Sequence, residues 1–156
     1  MDPLTRDIRQ VDPTDPALSF LFDRHLTLMR SSSPACSVHA MEATNLAEAD
    51  VIFLAAFDGS APVAMGALKT LSGDHGELKS MHVIARHRGS GLADAVLKRL
   101  LDEAVRQGLK RVSLETGSQP AFAAARAFYA RHGFTDCPPF DGYSEDENSV
   151  FMTREV

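Results

Sequence analysis

The stretch from Glu77 to Gln107 constrains the chain more than any other. It opens Glu-Leu-Lys-Ser-Met-His-Val, continues Ile-Ala-Arg-His-Arg-Gly-Ser-Gly, and runs into a long amphipathic segment from Leu92. The pattern predicts a strand, a glycine-bearing turn and a helix. Such a turn brings several backbone N–H groups to a helix mouth, where they have no partners inside the helix. The helix dipole adds partial positive charge, so the mouth suits an anion such as a phosphate. Gly89 and Gly91 lack a Cβ and let a ligand approach the backbone. Arg86 and Arg88 add fixed positive charge, and no carboxylate stands between Leu78 and Leu92 to oppose them. A P-loop would need Gly-x-x-x-x-Gly-Lys-Ser/Thr, which is not present. A dinucleotide fingerprint would need glycine or alanine where Asp94 stands.

The flanking segments supply a frame. Thr5 to Val11 reads as an edge strand, and Asp15-Pro16 as the capped start of a helix carrying Leu18, Leu21, Phe22, His25, Leu26 and Met29 at helical spacing. Ser31 to Asn45 has no clear period and reads as a long loop, functional or disordered. Val51–Phe57, Val63–Leu71 and Glu77–Val83, joined by short turns, predict an antiparallel meander. The helix from Leu92 places Leu92, Ala93, Val96, Leu97, Leu100, Leu101, Ala104 and Val105 on one face, and Gly108 ends it. A strand at Arg111–Thr116 then completes a crossover unit with a parallel pair. Gln119-Pro120 opens a second helix, closed by Gly133, with Phe122, Ala125, Phe128 and Tyr129 as its core face. Strands at Phe134–Cys137 and Val150–Thr153 close the chain.

At 156 residues, with 44% hydrophobic and 24% charged, this is the size and balance of one soluble domain spanning 1–156. A net charge of -5 argues against non-specific nucleic-acid binding. No apolar run approaches the roughly 20 residues that cross a bilayer, so no membrane partner is expected. The start, Met-Asp-Pro-Leu-Thr-Arg-Asp, is unlike a signal peptide, and Cys36 and Cys137 are too few for a disulfide framework. The expected setting is cytoplasmic.

With these elements in place, Arg86-x-x-Gly89-x-Gly91 resembles the pyrophosphate loop of the GNAT N-acetyltransferases, Gln/Arg-x-x-Gly-x-Gly/Ala. Phe128-Tyr129-Ala130-Arg131-His132-Gly133-Phe134 resembles that family's aromatic-Tyr-x-x-x-Gly-Phe segment, and the order of elements is similar throughout. Ser37-Val38-His39-Ala40, Gly66-Ala67-Leu68-Lys69, Leu114-Glu115-Thr116-Gly117-Ser118 and Cys137-x-Pro-Phe140-x-x-Tyr143 resemble a bacterial subgroup of the family, the YsnE-like proteins. His39-Ala40-Met41-Glu42 departs from that subgroup's His-Ala-Leu-Asp. An association with indole-acetic-acid metabolism has been proposed for the subgroup, and no feature of the sequence marks an indole site.

The resemblance implies an α/β fold of GNAT type: a mixed, mostly antiparallel sheet with helices on both faces. It implies acetyl-coenzyme A as cosubstrate, held in the split between the third meander strand and the crossover strand. Met81, His82 and Val83 would make main-chain contacts from a bulged strand, and Arg86, His87, Arg88, Gly89, Ser90, Gly91 and Leu92 would form the pyrophosphate loop.

The reaction needs an oxyanion donor, a base for the amine proton and an acid for the departing thiolate. By the family likeness Tyr129 is the acid, and a phenol with a reference pKa near about 10 suits protonation of a thiolate. Its alternative is an ordinary amphipathic core tyrosine. Glu77, at the start of the strand beside the acetyl site, is the first candidate base; its alternative is an exposed strand-end glutamate paired with Lys79. His39, in the long loop, is the second candidate. Glu115 reads equally as a surface residue or a pocket carboxylate, and Asp141–Glu147 as a solvated loop. The histidines show no metal-ligand spacing, so no metal is expected.

The expected function is acetyl transfer from acetyl-coenzyme A to an amine on a small molecule or peptide, by direct attack in a ternary complex. A homodimer is an allowed assembly. A non-catalytic coenzyme A-binding regulator on the same scaffold is the main rival. A nucleotide transferase would need an acidic metal cluster near Gly89 that the sequence lacks.

Overall fold

The apolar runs pair into a sheet, and the amphipathic segments cover it. The computed structural model describes residues 7–32 and 43–156. The strands are β1 (Ile8–Gln10), β2 (Val51–Asp58), β3 (Ala61–Thr70), β4 (His75–Val83), β5 (Arg111–Gly117), β6 (Thr135–Cys137) and β7 (Ser149–Glu155). The helices are α1 (Ser19–Ser32), α2 (Ala43–Leu46), α3 (Leu92–Arg106) and α4 (Ala123–Arg131). The strands form one seven-stranded sheet in the order β1-β2-β3-β4-β5-β7-β6. Only β4 and β5 run parallel, the crossover through α3 reversing the chain between them. This is the expected mixed, mostly antiparallel architecture.

Register shows how the helices divide between the faces. Leu54 pairs with Gly66, and the Gly66 face meets Val96 and Leu100 of α3. The neighbouring Phe53 points the other way, because strand side chains alternate, and stacks on Phe22 of α1 with centroids 5.7 Å apart. Helices therefore cover both faces. The Asp15 carboxylate accepts from the Ala17 N–H at 3.0 Å and Pro16 takes the first position, as expected, although this turn is 3-10 and leads into α1.

Some boundaries differ from the sequence reading. β4 begins at His75 rather than Glu77, because His75 and Gly76 pair with Arg111 and Val112 of β5. The end of the expected loop, Ala43 to Asn45, lies in the short helix α2. Val105 is 61% exposed instead of packed. The buried line of α3 runs through Leu97, Leu100 and Ala104, and the next residue turns about 100° away from it. Of the expected core face of the second helix, Phe122, in a 3-10 turn before α4, and Tyr129 are buried, whereas Ala125 and Phe128 are only partly covered. They border a groove rather than a closed core.

Candidate active site

The site starts where β4 and β5 part. Their ladder holds for His75↔Arg111, Gly76↔Val112 and Glu77↔Ser113, and no pairing follows. Beyond Glu77 the strands splay and open a wedge in the sheet. On its other side β4 is bulged: Met65 pairs with His82 and Ala67 with Lys79, leaving Ser80 and Met81 opposite Gly66 alone. Ser80 takes a left-handed φ of 56°, which is uncommon for a residue with a Cβ and is a form of backbone strain. Gly66 makes room for the bulge, since a Cβ there would lie 2.5 Å from the Met81 sulfur. The bulge removes backbone groups of Ser80 and Met81 from regular pairing and turns this part of β4 toward the wedge.

β4 then feeds a 3-10 turn, Ala85–His87, and the glycine pair. Gly91, with φ 87°, is the N-cap of α3 and provides no side-chain cap. The first-turn N–H groups of α3 are therefore open to a ligand. Arg88 is braced by its Nε, which donates to the Val83 carbonyl at 3.0 Å. A groove of about 540 Å3 runs past this turn. Met81, His82, Val83, Arg88, Gly89 and Gly91 line one side, with His87 beside them. Phe122, Ala125, Phe128 and Tyr129 line the other.

Three expected loop residues have side chains directed elsewhere. Arg86 borders a separate cavity with Phe20 and Arg24. Ser90 Oγ donates to the His87 carbonyl, and Leu92 is buried in the core.

A second, smaller cavity of about 150 Å3 adjoins the groove, sharing Leu28, Met81, Phe122, Ala125 and Tyr129 with it. Tyr129 thus stands between the two spaces. Burial holds its phenol above the ordinary value, so it is protonated throughout the neutral range. The polar side of this cavity comes from Glu77, Lys79, Glu115, Thr116 and Tyr143.

Glu77 does pair with Lys79, but it is buried instead of exposed. Lys79 Nζ donates to Glu77 Oε2 at 3.0 Å and to the Tyr143 phenol oxygen at 3.1 Å. The Tyr143 hydroxyl donates to the same Glu77 oxygen at 2.7 Å. Burial, and then the Glu77 carboxylate, raise the Tyr143 phenol well above its ordinary range. The sequence left Glu115 open between surface and pocket; it borders the cavity and accepts a hydrogen bond from Ser149 Oγ at 2.9 Å.

Two functional candidates escaped the sequence reading. Tyr143 entered it only as part of a family motif in a loop read as solvated. In the sequence His25 is one more position at helical spacing on α1; in the fold it borders the smaller cavity. Its Nδ1 lies 3.4 Å from Nδ1 of His82, and both rings are buried. A histidine at a core position was the available signal. His39 and Glu42 lie outside the described residues. Among the described residues, no group of three or more His, Cys, Asp or Glu side chains is arranged to hold a metal ion. Cys137 is a free thiol that burial pushes upward.

Comparison with known proteins adds the family context. Residues 18–134 match the model of the acetyltransferase (GNAT) family. The chain is 43% identical over 136 residues to the uncharacterized N-acetyltransferase YsnE of Bacillus subtilis (strain 168), covering 87% of this chain and 90% of that protein. It is 37% identical over 125 residues to a protein of Azospirillum brasilense named IAA acetyltransferase, covering 79% and 80% respectively. Among solved structures, an acyl-CoA N-acyltransferase-like protein from Klebsiella pneumoniae superposes with a TM-score of 0.77 at 27% identity, covering 95% of each chain.

Proposed function

Because the chain belongs to the GNAT acetyltransferase family, we propose that it moves the acetyl group of acetyl-coenzyme A onto the primary amine of a small acceptor, by direct attack in a ternary complex. The observation that carries this reading is the meeting of the two spaces at Tyr129. One is long and bounded by free main chain at a helix mouth; the other is short and bounded by charged side chains.

Each residue's role follows from its surroundings. The open N–H groups of α3 and the braced Arg88 would hold the diphosphate. Main-chain groups of Met81, His82 and Val83, beside the bulge, would hold the pantetheine arm and offer a donor to the oxyanion. Tyr129 would donate its phenolic proton to the leaving thiolate.

Glu77 and Glu115 give the small cavity negative character that suits an ammonium, the form in which most amines arrive. The carboxylate of Glu77 is committed through Oε2 to Lys79 and Tyr143. Its main role in this reading is to fix Tyr143 and draw the amine inward. The cavity's size favours a small acceptor: an engineered cavity of about 150 Å3 takes up benzene, so about six heavy atoms is the natural scale. A peptide would enter by a side chain or terminus only. No step is assigned to a metal or nucleic acid, no described helix is long and apolar enough to cross a membrane, and the cytoplasm is the proposed setting.

The test is release of coenzyme A thiol across a panel of small primary amines, an aminoglycoside, a peptide and indole-3-acetic acid. The last enters because of the Azospirillum brasilense relative's name. Turnover of small amines with little turnover of the bulky acceptors is expected. Coenzyme A binding with no turnover of any amine would favour the regulator instead. Turnover confined to indole-3-acetic acid would replace the amine reading.

A further inference from the structure

We propose that His25 is the base that takes the proton from the acceptor amine, and that His82 is the residue that positions it. The assignment rests on the amine-acetylation reading above.

The geometry begins with the two rings. His25 comes from α1 and borders the small cavity, while His82 comes from β4 and borders the groove and the Arg86 cavity. Their centroids are 5.2 Å apart, edge to face, and Nδ1 meets Nδ1 at 3.4 Å. Two neutral imidazoles in this arrangement share one N–H, so one ring donates and the other accepts. When His25 donates, its Nδ1 carries the proton and its Nε2 is a lone pair. In that arrangement the hydrogen bond to His82 holds His25 in the tautomer whose Nε2 can take a proton.

The surroundings favour a proton on His25 over one on His82. Glu77 and Glu115 border the same cavity as His25, where Lys79, Tyr129 and Tyr143 also face it. His82 instead borders Arg24, Arg86 and Arg88, and a cation on its ring is opposed by Arg88. Burial brings both rings to about 4, so each is neutral near pH 7. Glu77, by contrast, already accepts two hydrogen bonds at Oε2.

The step balances. The arriving ammonium first releases one proton to water; the neutral amine nitrogen then bonds to the acetyl carbon, and one of its remaining protons passes to Nε2 of His25. The imidazolium donates through Nδ1–H to His82. The carbon–sulfur bond then breaks, and the sulfur takes a proton from Tyr129. His25 releases its proton to water, and Tyr129 recovers one from water.

The experiment compares the unaltered protein with His25→Ala and His82→Gln, using the best amine from the panel. His25→Ala should lower kcat by at least about 100-fold, the scale of a lost general base. Its KM for acetyl-coenzyme A and its coenzyme A affinity by calorimetry should stay within about threefold, which also shows that the variant is folded. Added imidazole should restore turnover to His25→Ala, while pyrazole, of the same shape but far weaker basicity, should not. Nitrogen-15 spectra of the unaltered protein should show His25 as the Nδ1–H tautomer, and His82→Gln should disturb that signal.

Turnover by His25→Ala equal to the unaltered protein would overturn the assignment alone. Equal rescue by pyrazole, or His25 found as the Nε2–H tautomer, would do the same. No turnover of any amine by the unaltered protein would overturn the amine reading and this assignment together.

Discussion

The groove beside Gly91 and the cavity beyond Tyr129 share a wall but are made differently. One side of the groove comes from two short stretches of one segment, Met81 to Val83 and His87 to Gly91, whose useful groups are N–H donors. The cavity is made of side chains from α1, β4, β5, α4 and the loop before β7. A main-chain site tolerates changes in most side chains around it and recognises what every donor shares. A side-chain site can be retuned one residue at a time. The groove therefore suits a constant cosubstrate, and the cavity a variable acceptor.

The sharpest way to separate the two is Lys79→Met. It leaves Glu77, whose side chain is only 5% exposed, as a buried charge without its cation. Breaking a buried pair from one side costs about 3–5 kcal/mol. Urea denaturation should show that loss, and the KM for the amine should rise, while coenzyme A affinity in the surviving fold stays the same. Equal loss of coenzyme A affinity would mean that the cavity and the groove are one site.

Next in size is a pH effect at the boundary between the two spaces. Burial lowers His25 and His82 from 6.5 to about 4 in the folded chain. Between those values the unfolded chain binds more protons. The stability contributed by keeping both rings neutral is complete above about pH 6.5 and is lost as the pH falls toward 4. For two groups the slope reaches about 2.7 kcal/mol per pH unit, and calorimetric melting between pH 7 and pH 4.5 should show the decline. Replacing both histidines with glutamine should flatten it.

Tyr129→Phe tests the shared wall. Loss of the phenolic donor should lower kcat by about 100-fold, with coenzyme A affinity little changed. A normal rate would return Tyr129 to the role of a packed aromatic.

Gly91→Ala acts on the groove alone. A Cβ there meets nothing within 4 Å, so steric strain inside the protein is absent, and only the left-handed backbone at φ 87° resists it. Folding should weaken by about 1–2 kcal/mol. Coenzyme A should bind about tenfold less tightly, equivalent to about 1.4 kcal/mol, because the methyl group points where the diphosphate is proposed to lie.

The smallest effect is expected at Gly66→Ala. The added Cβ would press on the Met81 sulfur at 2.5 Å. Overpacking of this kind costs about 1–3 kcal/mol, and the flexible methionine brings it to the lower end. Met81→Ala in the same chain should recover part of the loss by thermal melting, since Leu100 and Val96 also meet the added Cβ at 3.0 Å.

Much of the fold was legible in the sequence because it is written in short-range pattern. The meander, the capped start at Asp15-Pro16 and the α3 stripe each follow from residues a few positions apart. The errors sit where a distant partner decided. β4 starts early because β5 pairs with His75, and the expected core face of α4 is half a groove wall because the sheet splays beside it. The exposed Val105 is a smaller miss, at the edge of a helical stripe.

The same division holds for the site. Arg88, Gly89 and Gly91 could be read directly, since a turn's open N–H groups belong to neighbours in the chain. That the turn opens onto a groove, and that Arg86 borders the adjoining cavity rather than the groove itself, could not. The contacts of the smaller cavity join residues 66 positions apart in Tyr143 and Glu77, and 57 apart in His25 and His82. Local periodicity carries no record of such pairings. Sequence alone determined the helix mouth and the strand leading into it, because backbone geometry there answers to adjacent residues. Only the tertiary structure decided which charged side chains share the wedge, because that depends on where β4 and β5 separate and on which loop folds back over the gap.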